Sequence, residues 1–316
     1  MDLIHFRMVM PRALTQPAVD LLTSDDRVLN LVVVKSARVP DGDALECDVM
    51  KGAANGVLGA LRELGVDRTG SIAVDGVEVM FSRRAEQIEA DQPSALVHVP
   101  LWATVEAHIR SEGTYLPSFY LFLVIAGLIG SVGIMTNSQI LIVAAMVVGP
   151  EYGAITSVAL GLDRGNRRRV RDGLRALTVG FLLAIVVTLG FAALARGAHL
   201  QSKAFELGLR PVSHLIDTPD FFSVVVAFLA GVVGIVSLTE ARGSALLGVF
   251  ISVTTIPAAS DIAVSVAFSD WHQAWGSLLQ LLLNVVVLVV VGVLTLRLQR
   301  RLWRRATRHA AAKPRD

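Results

Sequence analysis

Apolar residues are distributed very unevenly along this chain. Residues 1–95 mix polar and apolar positions as a soluble domain does, whereas nearly all of the continuously apolar sequence lies after Tyr115. The block Leu121–Leu162 is too long for a helix in a soluble core and long enough to cross a bilayer twice. Its interruption at Met135–Ser138 predicts the turn between the two crossings.

The hydrophobic pattern of this second half predicts six membrane-spanning helices. The segments are Phe119–Met135, Ile140–Leu162, Leu174–Ala195, Phe221–Leu238, Ala245–Phe268 and Trp275–Leu296. Small residues in the first of them, such as Gly127 and Gly130, favour close helix packing in lipid. Pro150 and Pro257 lie inside the second and fifth segments, and they predict that both of these helices are broken.

The last three predicted spans repeat features of the first three. The sequence AGLIG at Ala126–Gly130 resembles AGVVG at Ala230–Gly234, which lies 104 residues later. Pro150 and Pro257 are 107 residues apart, so a three-residue insertion near residues 239–243 is expected to reconcile the two distances. Because each copy contains an odd number of spans, the second copy enters the membrane in the opposite sense. This is the plan of an inverted-topology repeat with broken middle helices.

Residues 1–85 show the periodicity of a small α+β domain. The expected elements are strand Leu3–Met10, helix Thr15–Leu22, strands Val28–Ser36 and Ala44–Val49, helix Ala53–Leu64 and strand Ser71–Val74. This β-α-β-β-α-β order is that of a ferredoxin-like fold. Gly65 is expected to end the second helix, and Asp75 with Gly76 to form a hairpin turn. Cys47 lies in an alternating pattern that predicts a buried strand residue rather than a reactive thiol.

The other segments connect or follow these two domains. Residues 86–114 are expected to form a linker and an interfacial helix, because apolar residues share one helical face with an interface-preferring tryptophan. That face comprises Leu101, Trp102, Val105 and Ile109. The membrane domain is assigned to residues 115–296, and residues 297–316 form a basic tail.

Arginines cluster at two places in the membrane half. The first cluster lies between the second and third predicted spans, and the other follows the sixth: Arg164, Arg167, Arg168, Arg169, Arg171, Arg175, Arg297, Arg300, Arg301, Arg304, Arg305 and Arg308. Six spans put both clusters, both chain termini and the α+β domain of residues 1–85 (the head) on one side of the membrane. The positive-inside rule makes this side cytoplasmic. Arg164, Arg168, Arg171 and Arg175 are expected to face the lipid bilayer and contact anionic headgroups. No aromatic stacking platform accompanies them, so nucleic acid is not an expected partner.

Sequence motifs of familiar enzyme classes are missing from the chain. It contains no CxxC, HExxH, Walker-type loop or GxSxG elbow, and its single cysteine excludes an intrachain disulfide. We therefore expect no enzymatic activity, no cofactor and no metal site.

Two stretches of the membrane half resemble a known family. They are YLFLVIAGLIGSVGIMTNSQILIVAAMVVGPEYGAI, which starts at Tyr120, and SALLGVFISVTTIPAASDIAVSVA, which starts at Ser244. Both are similar to the signature of domain of unknown function 389, a hydrophobic family of bacteria and archaea, and the resemblance covers about residues 115–296. It implies an integral membrane protein in the plasma membrane of a prokaryote. It supplies no catalytic residues, and Glu151 stands where many members have leucine or methionine.

Two acidic residues lie within the predicted spans, close to the breaks. Glu151 follows Pro150 and lies about 18 Å along the helix from its cytoplasmic end, near the bilayer midplane. Because a carboxylate in lipid is costly, such groups normally face a partner or a water-filled cavity. The candidate substrate- or ion-binding residues are Glu151, Asp261, Pro150, Pro257, Asn137, Ser252, Thr254, Thr255 and Asn284. The alternative is that Glu151 only satisfies backbone groups freed beside Pro150 and that Asp261 extends outward to the membrane surface.

Two functions are consistent with these patterns. The repeat, the broken helices and the intramembrane acids favour a secondary transporter or permease for a small solute or ion. Alternatively, the spans anchor a sensor or scaffold whose head binds a ligand or forms a homo-oligomer. Transport is the preferred hypothesis, because a pure anchor has little need of internal prolines and buried acids.

Overall fold

The computed structural model describes residues 3–38, 41–77, 80–90, 100–206, 220–239 and 254–311. The chain is mostly helical, with one small sheet near its start. It divides into two compact units. One comprises Met1–Val105 with Arg300–Asp316, and the other comprises Glu106–Gln299.

The first unit is built on a four-stranded antiparallel sheet. Its strands are β1 (Leu3–Met10), β2 (Val28–Arg38), β3 (Asp41–Met50) and β4 (Ser71–Val77), in the spatial order β2-β3-β1-β4. Helix α1 (Arg12–Thr23) joins β1 to β2, and helices α2 (Lys51–Glu63) and α3 (Val66–Thr69) join β3 to β4. Helix α4 (Arg83–Ala90) follows.

Alternation along the strands creates the core of this unit. Ile4, Phe6, Met8 and Met10 of β1 point to one side, where they pack with apolar residues of α1 and α2. Cys47 lies in the same core and is fully buried, as its position in the alternating pattern predicts. Burial raises the pKa of this thiol to about 12, so it is a packing residue and a poor nucleophile.

Two local predictions for the head have opposite outcomes. Gly65 adopts a left-handed conformation, with φ of 81°, directly after α2 and its C-cap Leu64, and the predicted helix end is confirmed. The predicted hairpin turn at Asp75 and Gly76 is wrong, because both residues continue strand β4. Asp75 stands opposite His5 in the ladder with β1, so strand pairing prevails over the turn preference of the dipeptide.

Residues just before helix α5 (Trp102–Glu112) dock onto α2 of the head. The side chain of Asn55 donates to the carbonyl of Pro100 at 2.9 Å and accepts the backbone N–H of Trp102 at 3.1 Å. Between these two bonds, Leu101 enters the core of the sheet domain. The ring of Trp102 also receives the guanidinium of Arg300, which lies 5.0 Å from the ring centroid.

The apolar face predicted for α5 exists, but the protein itself covers it. Leu101, Val105 and Ile109 are all buried. Trp102, the fourth residue of that face, is half-buried. The interfacial role of this helix stays a prediction.

The second unit consists of helices. They are α6 (Pro117–Met135), α7 (Gln139–Val148), α8 (Glu151–Asp163), α9 (Arg167–Gly197), α10 (Lys203–Glu206), α11 (Phe221–Thr239), α12 (Thr255–Ala267) and α13 (Trp271–Ala311), the last of which extends beyond the unit. Among the described residues, α6, α9, α11 and the segment Trp271–Trp303 are long and apolar enough to cross a membrane. A fifth candidate is the pair α7 and α8, which bends by 49° at its break. Only the second half of the predicted span Ala245–Phe268 is described, as the apolar helix α12.

Helix boundaries in this unit recur at a constant distance. Helices α6 and α11 each have 19 residues and start 104 residues apart. Helices α8 and α12 each have 13 residues and also start 104 apart, as do α9 and α13. The turns that precede α9 and α13 contain Gly165 and Ser269, again 104 apart, with φ of 67° and 64°.

This constant spacing differs from the alignment predicted from the sequence, which pairs Pro150 with Pro257. It leaves no room for the three-residue insertion near residues 239–243, because helices before and after that segment share the same offset. In the observed register, the equivalent of Pro150 is Thr254 and not Pro257. Proline identity was a poor anchor, since a proline is accepted at several positions around a helix start.

Glycines bring the copies into contact with each other. A Cβ on Gly130 of α6 would overlap Oγ of Ser260 in α12, and a Cβ on Gly234 of α11 would overlap the hydroxyl of Tyr152 in α8. Gly130 and Gly234 are equivalent at the 104-residue spacing. Helix α6 therefore packs closely against α12, and α11 against α8, at two glycines that are 104 residues apart.

Candidate functional site

The first turns of α8 and α12 meet inside the second, helical unit. Glu151 is the first residue of α8 and Thr255 is the first residue of α12. The hydroxyl of Thr255 donates to Oε1 of Glu151 at 2.6 Å, and both side chains are buried. Because helix N-termini expose backbone N–H groups and carry partial positive charge, this junction favours a negative group such as the Glu151 carboxylate.

Half of that carboxylate has no protein partner within the described part of the chain. Glu151 is only 6% exposed, yet its Oε2 atom is buried without a hydrogen bond. Gly149 makes room for this oxygen, because a Cβ at that position would overlap it. Leaving a buried acceptor unsatisfied costs about 1–3 kcal/mol, and more for a charged group. A proton, a cation or a donor group of a solute would remove that cost.

Asp261 forms a second acidic centre two turns into α12. Its Oδ2 atom accepts from the hydroxyl of Ser277 at 2.6 Å and from that of Ser265 at 3.4 Å, and all three residues are buried. The equivalent residues of the first copy are Ser157, Gly173 and Gly161. Asp261, Ser265 and Ser277 thus bring a carboxylate and two hydroxyls together, whereas the residues 104 positions earlier are one serine and two glycines. Hard oxygen ligands of this kind suit a proton or a small cation.

An amide cluster continues the polar region from Thr254 into α13. Asn284 donates to Oγ1 of Thr254 at 2.8 Å, and Gln280 donates to the same atom at 3.4 Å. Oε1 of Gln280 is buried and has no partner among the residues described here. Since Thr254 directly precedes Thr255, the cluster adjoins the junction with Glu151.

The polar residues of α13 form one buried stripe. Their spacings of four, three and four place them on one helical face: Gln273, Ser277, Gln280 and Asn284. Sequence reasoning identified only Asn284. The signal was present, because polar residues that recur with a helical period in an apolar span face protein or water rather than lipid.

The structure brings together part of the predicted site. Glu151, Thr254, Thr255 and Asn284 are linked through the junction and the amide cluster. Asp261 is six residues beyond Thr255, or about 9 Å along α12. These residues form the core of the candidate site.

Other predicted site residues lie elsewhere or have a different role. Pro150 is the N-cap of α8, as expected for a break. Pro257 is the third residue of α12, where its missing N–H costs no helical bond, so it does not interrupt α12. Asn137 lies in the turn before α7, which separates it from Pro150 by about 15 Å of helix. Ser252 lies outside the described residues.

The four arginines expected to face lipid do not act alike. Arg164 forms an ion pair with Glu106. Arg168 and Arg171 approach Asp172 at 3.9 and 3.6 Å. Arg175 is exposed and lines a groove together with Arg171 and Arg167. Arg164 lies before α9, so the four side chains do not share one helical face. The lipid contacts of the other three stay a prediction.

Metal-ligating side chains are not clustered in the described ranges. No group of three or more histidine, cysteine, aspartate or glutamate residues there could hold a metal ion. Oxygen-based recognition of a proton, a monovalent cation or a polar solute fits the residues of the candidate site better than transition-metal binding.

The fold defines a multi-pass helical membrane protein that carries an N-terminal α+β head. Residues 146–290 match the family described as Domain of unknown function (DUF389). The predicted resemblance is thereby confirmed.

Comparison with curated and solved proteins adds one relative. The chain is 20% identical over 196 residues to the uncharacterized protein MJ0678 of Methanocaldococcus jannaschii. The match covers 61% of this chain and 57% of that protein, so the chain spans little more than half of the relative's length. No solved structure matches.

Proposed function

We propose that this membrane protein is a secondary transporter for a small solute or ion, with its site at the junction of α8 and α12. The observation that carries the proposal is the buried carboxylate of Glu151, which has one oxygen on Thr255 and the other without a partner among the described residues. Buried acids in membrane helices are costly and are normally retained for proton or ion handling.

An inverted-topology repeat of six spans is the architecture we infer for this transporter. The equal lengths and constant spacing of the paired helices support the repeat. Three crossings per copy, with α7 and α8 counted as one broken span, would turn the second copy upside down. The contact between Glu151 and Thr255 supports the same plan, because it joins equivalent residues of the two copies.

In the proposed mechanism, the two acidic centres have separate tasks. Glu151 and the N–H groups at the two helix starts bind the transported group near the midplane. Asp261, with the hydroxyls of Ser265 and Ser277, binds the coupling proton or cation. The amides of Gln280 and Asn284 lie along the stripe that connects the two centres.

Reconstituted protein provides the test. Glu151→Gln and Asp261→Asn remove charge and keep shape, and Ser157→Ala, at the first-copy equivalent of Asp261, serves as a matched control. We expect the two acid variants to assemble normally but to lose ion- or pH-dependent flux in proteoliposomes, whereas the control retains it. Unchanged ion and pH dependence in both acid variants would refute the assignment.

The head supports a second candidate function, that of a membrane-anchored sensor or scaffold. Its edge strand β2 exposes Val32 and Val34, which are 49% and 54% accessible. An exposed apolar edge strand is a surface on which a second strand can pair, which favours a homo-oligomer formed through the heads. We infer a ferredoxin-like fold for this domain from its element order and strand order.

Removing the head separates the two functions. A transporter without residues 1–85 retains flux in proteoliposomes, with changed regulation. For a scaffold, the isolated head dimerises by light scattering, and neither form of the protein carries out flux.

A further inference from the structure

We infer that the groove at the start of α9 is a binding site for an anionic phospholipid. The groove lies between the end of α8 and the first turns of α9 and has a volume of about 680 Å³. Its charged lining residues are Arg167, Arg171 and Arg175, and its apolar lining residues include Leu162, Leu174 and Val179. This site is independent of the proposed transport site.

The three arginines occur at four-residue intervals, which puts them on one face of the helix. All three are exposed. The guanidinium group forms paired hydrogen bonds that match the geometry of a phosphate. Arg171 also approaches Asp172, at 3.6 Å, whereas the described ion pairs include none for Arg167 or Arg175. The face therefore carries more positive charge than the protein itself neutralises.

The apolar part of the groove continues along the same helix. Leu174 and Val179 are exposed, and so are Leu182 and Val186 further along α9. The distance from Arg171 to Val186 along the helix is about 22 Å, which exceeds the roughly 15 Å thickness of one hydrocarbon leaflet. An acyl chain can thus lie on this strip while its phosphate contacts the arginines.

The turn between α8 and α9 shapes the head of the groove. Gly165 has a φ of 67°, which reverses the chain directly after α8. Gly161 lies against α9, because a Cβ there would stand 2.9 Å from Cγ2 of Val170. The close approach leaves the arginine side chains at the rim and the apolar residues below them. A soluble phosphate ester would contact the rim but leave the apolar strip uncovered, so charge and shape together favour a lipid.

Lipid binding can be measured on the full-length protein in detergent. After delipidation, phosphatidylglycerol, phosphatidylcholine and inorganic phosphate are each added, and the thermal midpoint and the mass of intact complexes are recorded. We expect phosphatidylglycerol to raise the midpoint and remain bound. In the double variant Arg171→Gln with Arg175→Gln, its affinity falls about tenfold or more, the loss expected for two charge-assisted hydrogen bonds. Arg168→Gln, at a residue that is also exposed but does not line the groove, keeps the affinity of the unmodified protein.

Three results would overturn the inference. If phosphatidylcholine raises the thermal midpoint as much as phosphatidylglycerol does, the protein does not recognise the charge of the headgroup. An equal response to inorganic phosphate identifies a soluble anion as the ligand. Equal loss in the single variants Arg171→Gln and Arg168→Gln, which remove one charge each, means that only overall charge matters. If the double variant is unfolded in phosphatidylcholine, the single variants replace it with the same criteria.

Discussion

At the residue scale, the contact between Thr255 and Glu151 is central to the proposed function. The hydroxyl satisfies one carboxylate oxygen, and the helix starts place backbone N–H groups nearby. These contributions offset part of the cost of holding an acid away from water. The remaining cost at Oε2 is what makes the residue sensitive to protonation or to a bound partner.

Replacing Thr255 by valine keeps the shape of the side chain and removes its hydroxyl. The carboxylate then loses its 2.6 Å donor while still buried, so we expect a loss of about 1–3 kcal/mol in stability. When Thr255→Val is added to the variant Glu151→Gln, which no longer buries a charge, the further loss of stability should be smaller. Thermal unfolding of all three variants in one detergent measures this coupling, and additive effects would contradict a direct interaction.

Asp43 makes the stability of the head depend on pH. Its carboxylate accepts the backbone N–H of Ser36 at 3.0 Å and the hydroxyl of Thr15 at 2.9 Å. These bonds lower the pKa of Asp43 below its usual 3.8. Because the folded-state pKa is the lower one, the stabilisation is complete above the unfolded-state pKa and is lost as pH falls through the folded-state pKa.

We therefore expect the head to lose stability below about pH 4. The variant Asp43→Asn should be less stable near neutral pH and lose less than the unmodified protein on acidification. Urea unfolding of the head between pH 2 and 7, followed by circular dichroism, tests this. If the free energy of unfolding changes with pH in the same way in both proteins, Asp43 does not contribute to the pH dependence.

At the element scale, patterns with a short period were read correctly from the sequence, and those that depend on distant partners were not. The strand around Cys47 and the helix end at Gly65 follow from local alternation and backbone preference. Strand β4 passes through Asp75 because its partner is β1, about seventy residues earlier. The polar stripe on α13 was only partly found, since its meaning depends on Asp261 in another helix.

The head and the segment that docks on it provide an element-scale prediction. Residues 1–85 are expected to fold alone, but Leu101 completes their core. A fragment of residues 1–105 should therefore be more stable than one of residues 1–85. Within the longer fragment, Leu101→Ala should cost about 2–5 kcal/mol, whereas Gln87→Ala at an exposed site should change little.

Denaturant unfolding of the two fragments and two variants measures these differences. Equal stability of the two fragments would show that Leu101 docks without contributing to the fold. A disordered short fragment would contradict independent folding of residues 1–85.

At the scale of the whole molecule, the proposed repeat is supported by helix boundaries that no single motif revealed. The sequence indicated two copies, but its prolines suggested an offset of 107 instead of 104. The correct register depends on where helices start, which is set by caps and packing rather than by residue identity. Only this register pairs Glu151 with Thr255.

Topology is the prediction that belongs to this scale. With six spans, Ser202 lies outside the cytoplasm and Thr307 inside it. An impermeant thiol reagent should then label Ser202→Cys but not Thr307→Cys in intact cells. The native Cys47 provides a low background, because it is buried and its pKa is about 12. Labelling of Thr307→Cys alone would reverse the orientation.

The hydrogen bond from Thr255 to Glu151 also bears on energy conversion. In a transporter of the proposed kind, two equivalent residues that touch each other lie close to the symmetry axis that relates the two copies. A point on that axis would stay at the same depth in the membrane when the two copies exchange their conformations. A solute bound at this point would keep its position while the protein changes conformation around it. Glu151 is an acid and Thr255 an alcohol. Exchanging the conformations of the two copies would therefore not give the bound group the same surroundings. If the protein alternates between inward-open and outward-open forms, these two forms would then differ in energy, and one of them would be the preferred resting state.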